Sequence, residues 1–171
     1  MEFTELIENR FSTRTYTSVG LDDDTIDEIL DAILAAPSAG NHQAYKVAVV
    51  RDEETRSKLA DASGPQGWIA RAPVVLAFFS DLDIHSSSYG SKKAGIFPCL
   101  DPTIAMVYAQ LAATDLGLGS CWVAPFAHET AQEICGLDGN LALVGLLPIG
   151  HTSESKPKRK RRKSSEWSVI I

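Results

Sequence analysis

Apolar and polar positions alternate along this chain in a way that separates helices from strands. Ile26, Ile29, Leu30, Ile33 and Leu34 fall at i, i+3, i+4, i+7 and i+8, one face of a helix. Asp22 stands where an N-cap belongs, Leu21 can staple against Ile26, and Pro37 closes the element. A shorter stripe, Phe3, Leu6 and Ile7, predicts a first helix ending near Asn9–Arg10. "YKVAVVR" (45–51) reads as a strand, "DEETRSKLADA" (52–62) as a polar-faced helix and "PVVLAFFSD" (73–81) as a buried strand.

The Ser- and Gly-rich stretch 82–100 reads as a loop or lid. "DPTIAMVYAQLAATDLGLG" follows as a long helix, with Gly117 or Gly119 as its stop. It is apolar on most sides, which calls for burial in a core or against a partner. "SCWVAPF" reads as a strand running into a turn, "HETAQEICGL" as a short helix, "LALVGLLPIG" as a buried strand and "EWSVII" as a closing strand. Helices and strands mix without a strict βαβ rhythm. The expected fold class is therefore α+β, with a small, largely antiparallel or mixed sheet. A terminal strand after an extended arm is suited to joining another subunit's sheet.

Composition bounds this picture. The chain has 171 residues, 44% of them hydrophobic and 22% charged, which suits a single domain, 1–171, with a core. The net charge of −6 hides an asymmetry, because seven of the eight residues from Lys156 to Lys163 are basic. Without them, nine Lys/Arg face 22 Asp/Glu and the body carries −13. An acidic body repels nucleic acid, so the expectation is one basic spot and no nucleic-acid partner. Cys99, Cys121 and Cys135 lack C-x-x-C spacing and are odd in number, which points to free thiols in a reducing compartment. An acidic N-terminus and the lack of a long apolar run lead to a cytoplasmic, membrane-free expectation. His42, His85, His128 and His151 lack ligand spacing, so no metal is expected.

Four segments carry candidate chemistry. In "NRFSTRTY", Arg10, Ser12 and Arg14 offer two planar guanidinium forks around a hydroxyl, a donor set for phosphate; surface arginines paired with carboxylates are the plainer alternative. In "APSAGNHQAY", small residues allow a close backbone approach to a flat ligand, and Asn41 and Gln43 offer amides to a heterocycle edge; an ordinary turn is the alternative. In "GLGSCWVAPF", backbone N–H groups of Val123, Ala124 and Phe126 are candidate donors, Pro125 having none. Trp122 is there either a pocket wall or, by default, a core residue, and Cys121 a buried small hydrophobe without a catalytic role. In the basic run, Arg159 and Arg161 are two apart on extended chain and point the same way, leaving Lys160 and Arg162 to solvent.

In this order and spacing the segments resemble the FMN-dependent nitroreductase family, across nearly the whole chain. The resemblance rests on Arg-x-Ser-x-Arg at 10–14, Pro-Ser-Ala-Gly-Asn-x-Gln at 37–43, the 64–79 segment with "APVVLAFF", "GLGSCW" and the "LPIGH…KPKRKR…E" arm. It implies an α+β homodimer with FMN sites at the interface, residues 152–171 forming an arm and a strand exchanged onto the partner. It implies that Arg10 takes the phosphate, with Ser12 beside it and Arg14 near the pyrimidine edge. Pro37, Ser38, Ala39 and Asn41 would come from the partner, with Gln66 a further candidate. The backbone at Val123 and Ala124 would sit near flavin N5, and Arg159 and Arg161 would form the arm's phosphate pair. The implied activity passes electrons from NAD(P)H to a small planar aromatic acceptor such as a nitroaromatic or quinone, with no side chain as obligatory acid or base. A flavin-binding module with little turnover, reductive dehalogenation and flavin breakdown stay open. Departures are Ala44-Tyr45 where Pro-Trp is common, Pro125 where glycine is frequent, and a compact 82–100.

Overall fold

The computed structural model describes residues 1–64, 66–89, 97–124 and 128–171. The strongest periodic stripe becomes helix α2 (Asp23–Leu34), in which Ile26, Ile29 and Ile33 are buried. The Asp22 side chain caps it, accepting from the Thr25 N–H at 2.9 Å. Asp52 does the same for α3 (Glu53–Ala62), accepting from the Thr55 N–H at 2.7 Å. Between them lies β1 (Tyr45–Val50), which pairs antiparallel with β2 (Val74–Asp81).

β2 is the centre of the molecule, and its side chains alternate between two cores. Val74, Leu76 and Phe78 face a cluster with Ile29, Ile33, Ala105, Met106 and Ala109. Val75, Ala77 and Phe79 face a second cluster with Leu59, Ile69, Ala131 and Leu146. A strand apolar at every position is thereby accounted for: helices α2 and α5 (Leu100–Asp115) cover one face of the sheet, α3 and α6 (His128–Ile134) the other.

β4 (Leu141–Gly150) lies beside β2, and β3 (Gly119–Ser120) beyond it, giving the order β1-β2-β4-β3 with every pair antiparallel. The register slips between Phe78 and Phe79, which oppose Gly145 and Leu143. Val144 is the extra residue of this β-bulge, and for that reason Leu143 and Leu146 share one core despite their odd separation.

Helix α5 stops at Gly117, whose φ of +74° favours glycine. The Gly117 N–H bonds the Thr114 carbonyl and the Leu118 N–H bonds the Ala113 carbonyl, the two closing bonds of a Schellman cap.

Several expectations are corrected. Residues 82–89 form helix α4 (Leu82–Tyr89), capped by the Asp81 carboxylate, which accepts from the N–H groups of Asp83 and Ile84; the serines obscured that cap, and 90–96 lie outside the described residues. Of the strand foreseen at 120–126, the described residues 120–124 form only the end of β3 and one bridge, Val123 opposite Leu146, and 125–126 lie outside the described residues. The closing strand does not form in the single chain. Ser164–Glu166 make a 3-10 turn, and Val169, Ile170 and Ile171 are exposed with no strand to pair with. Helix α1 (Phe3–Asn9) forms as expected, yet Phe3 and Ile7 of its apolar stripe face outward.

Candidate functional site

Residues 12–17 run along the outer edge of the sheet and bring the first charged segment to the basic arm. Ser12 bridges Ser120 of β3, and the Thr13 N–H donates to the Ser120 carbonyl at 3.0 Å. Thr17 then donates to the His151 carbonyl at 2.9 Å. The Tyr16 hydroxyl sits 2.9 Å from the Thr13 carbonyl and 3.2 Å from that of Pro148; its burial pushes the phenol well above its ordinary range, so it stays a donor.

Three chain segments meet here so closely that one position admits no side chain. A Cβ on Gly119 would fall 2.7 Å from Thr13 Cγ2 and 2.8 Å from Thr152 Cγ2. Beneath the surface Cys121 is buried, and its desolvation pushes the thiol up despite the nearby Arg14 and Arg10 charges.

The result is a cleft of about 500 Å³ lined by Arg10, Phe11, Ser12, Arg14, Lys156, Pro157, Arg159, Lys160 and Arg161. Six of these are cations, and no carboxylate lines the cleft among the described residues. None of the six forms an ion pair among the described residues, so the surface-pairing alternative for Arg10 and Arg14 is set aside. Arg14 instead hydrogen-bonds the Ser12 carbonyl at 3.3 Å and lies 5.7 Å from the Trp68 ring centroid. Uncompensated guanidinium and ammonium groups around a hydroxyl form the donor set a phosphate dianion requires, and FMN carries such a group.

The alternation expected in the arm holds only in part. Arg159 and Arg161 line the cleft, but so do Lys156 and Lys160. Arg162 turns away, its guanidinium bonding the Glu166 carboxylate at 3.3 Å and the Glu166 carbonyl.

The loop 37–43 stands elsewhere. Gly40, Asn41 and Gln43 all have positive φ (57°, 57° and 50°), a costly set that other contacts must hold. The holding bonds are Gln43 N–H to Ser38 Oγ at 2.9 Å and Ala39 N–H to the carboxylate of buried Asp101 at 3.0 Å. Pro37, Ala39 and Asn41 are exposed, Ser38 half-buried, and none lines the cleft of its own chain. Gln66 is half-buried, its side-chain amide donating to the Ser63 carbonyl at 2.9 Å.

Two further candidates change status. The Val123 N–H donates to the Leu146 carbonyl at 2.9 Å, so the sheet has already used it; Ala124 is exposed. Pro125 and Phe126 lie outside the described residues. Trp122 is 52% exposed and is no core residue. Sequence reasoning overlooked Glu154, whose carboxylate accepts from the N–H groups of Arg14 and Thr15 at 2.9 and 3.1 Å. Its placement two residues before the basic run was the available clue.

Among the described residues no group of His, Cys, Asp and Glu could hold a metal, and no helix is long and apolar enough to cross a membrane.

The chain matches the profile described as "Nitroreductase family" over residues 7–81 and 63–151. It is 29% identical over 163 residues to the Bacillus subtilis (strain 168) FMN reductase (NAD(P)H), covering 88% of this chain and 66% of that protein, slightly under two thirds of its length. The crystal structure of a nitroreductase family protein from Clostridium novyi NT superposes with a TM-score of 0.81 at 28% identity, covering 90% of this chain and 87% of that one. A nitroreductase family protein from Streptococcus pneumoniae TIGR4 shares the fold at a TM-score of 0.90 with 22% identity, over 99% of this chain and 100% of that one. With the family profile spanning both walls of the sheet and most of its helices, this chain belongs to the nitroreductase family.

Proposed function

We propose that the protein is an FMN-dependent oxidoreductase that passes electrons from NAD(P)H to a small planar acceptor, of the nitroaromatic or quinone type. The observation that carries this reading is the cleft: six cations from two distant segments, without an ion pair among the described residues, around the Ser12 hydroxyl. When bound, FMN supplies the two-electron chemistry between nicotinamide and acceptor. The rest falls to the chain's own residues. Arg10, Ser12, Arg159 and Arg161 hold the phosphate, with Lys156 and Lys160 adding positive potential. Arg14, steadied by Trp68, would meet the pyrimidine side, as the family resemblance implies, and would favour added electron density on the ring there. No acid or base is assigned, and catalysis rests on positioning and electrostatics.

The site is read as shared between two copies of the chain. Phe3, Ile7, Leu34, Val107, Ile170 and Ile171 are large apolar side chains left exposed by a single copy. A partner's loop 37–43 would supply Pro37, Ser38, Ala39 and Asn41; Pro37, Ala39 and Asn41 are exposed, Ser38 is half-buried, and Asn41 is held at a positive φ.

The test is direct. The purified protein should take up FMN and show a flavin spectrum that NAD(P)H bleaches and a nitroaromatic or quinone restores. A chain that neither retains nor accepts FMN overturns the reading. Replacing Arg159 and Arg161 together by Ala should weaken FMN binding about 10- to 100-fold, the scale of one or two charge-assisted bonds, with the far-UV spectrum unchanged.

A further inference from the structure

We propose that Glu154 is the positioning residue that sets the two walls of the cation cleft against each other, an inference that rests on the phosphate reading above. One wall is the strip 10–14, the other the arm from Lys156 onward. They come from opposite ends of the sequence and need a fixed spacing if both are to reach one phosphate.

The bonds that fix it are few. One Glu154 oxygen, Oε2, accepts from the Arg14 N–H at 2.9 Å and the Thr15 N–H at 3.1 Å. Thr152 completes the clasp: its hydroxyl donates to the Thr15 carbonyl at 2.7 Å and accepts from the Glu154 N–H at 2.9 Å. Beyond Glu154 the chain is exposed through Ile171, and no hydrogen bond among the described residues joins it back to the body. The course of Lys156 to Arg161 is therefore decided at its root, by this clasp.

A carboxylate serves here for a specific reason. Close to six cations, an acid would ordinarily pair with one and remove it from the cleft. Glu154 directs its charge to main-chain N–H groups instead, and forms no ion pair among the described residues. All six cations stay available while the anion holds the strip that bears Arg10, Ser12 and Arg14. Because both N–H groups share one oxygen, an amide oxygen can replace it: Glu154→Gln keeps the clasp and removes only the charge.

The test measures FMN dissociation constants by flavin fluorescence on the full chain, independent of turnover. Glu154→Ala should weaken binding roughly tenfold, as loss of charge-assisted bonds predicts, and Glu154→Gln should restore it to near the wild-type value. Glu154→Asp, one methylene short of both N–H groups, should fall between and provides a folded variant if the Ala form is unstable. In the Arg159→Ala, Arg161→Ala background, Glu154→Ala should add a clearly smaller loss than it causes in wild type, because of the arm's cleft cations only Lys156 and Lys160 are then left to be placed. A merely structural role predicts the same additional loss in both backgrounds. That additivity, a Gln variant as weak as Ala, or equal binding by wild type and all three variants would each overturn the inference alone. A wild-type chain that takes up no FMN overturns the flavin reading and this inference with it.

Discussion

Gly119 shows how tightly single residues bind the site to the fold. The hydrogen in place of its side chain lets Thr13, Thr152 and β3 touch, and those segments carry the two walls of the cleft. Gly119→Ala should lower stability by about 1–3 kcal/mol through overpacking. In a chain of this size that is a fall of about 2–4 °C in Tm per kcal/mol, read by thermal melting. FMN affinity should fall with it, since the forced shift is at the site; an unchanged melt and affinity would refute the close contact. Residue-scale chemistry was partly legible in the sequence. That Arg10, Ser12, Arg14, Arg159 and Arg161 share one cleft was legible because closely spaced guanidinium forks around a hydroxyl suit a single anion. Glu154 was not, because its task is to hold main chain 140 residues away, and no local spacing records such a contact. Val123 misled for the converse reason: a strand-end N–H looks free until its partner strand is known.

At the scale of elements, patterning decided nearly everything that one chain can satisfy internally. β2 is the clearest case. Phe78 is fully buried in the α2/α5 core, so Phe78→Ala should destabilise by about 3–5 kcal/mol, measured by denaturant unfolding. The helix caps give a pH signature. Hydrogen bonds from Thr25 and Thr55 hold the Asp22 and Asp52 carboxyls below the usual carboxylate range. A depressed carboxyl contributes stability above its ordinary pKa and loses it as pH falls through the folded value. An Asp22→Ala, Asp52→Ala variant should therefore melt below wild type at neutral pH, with the gap closing as pH falls below the ordinary carboxylate range. A gap of constant size across that range would show that the carboxylate charge is not what caps these helices. Where patterning failed, the cause was local. Asp81 caps α4 through a run of serines that reads as loop, and β3 is too short to show any period.

The whole molecule is an acidic body of charge −13 around one cationic cleft, with an apolar surface left uncovered. The foreseen closing strand belongs to this scale. "EWSVII" has the pattern of a strand but pairs with no strand among the described residues of its own chain, and the shared-site reading proposed above assigns it to a partner's sheet. A chain ending after Lys163 should sediment as a monomer if residues 164–171 hold the pair together, while the full chain sediments as a dimer. A full chain that is monomeric at micromolar concentration would remove the shared-site reading.

The strand order carries one more consequence, for biosynthesis. β4 lies between β2 and β3 yet is made after both, and the arm is made after β4. A nascent chain long enough to contain Arg10, Ser12 and Arg14 therefore has no interior strand to close its sheet and no second wall to oppose the first. Until Leu141–Gly150 emerges, the apolar β2 has an open flank, a state in which chaperones are most needed. On the phosphate reading proposed above, cofactor capture waits for the arm, and a ribosome stalled before it would carry a chain with only one wall of the cleft.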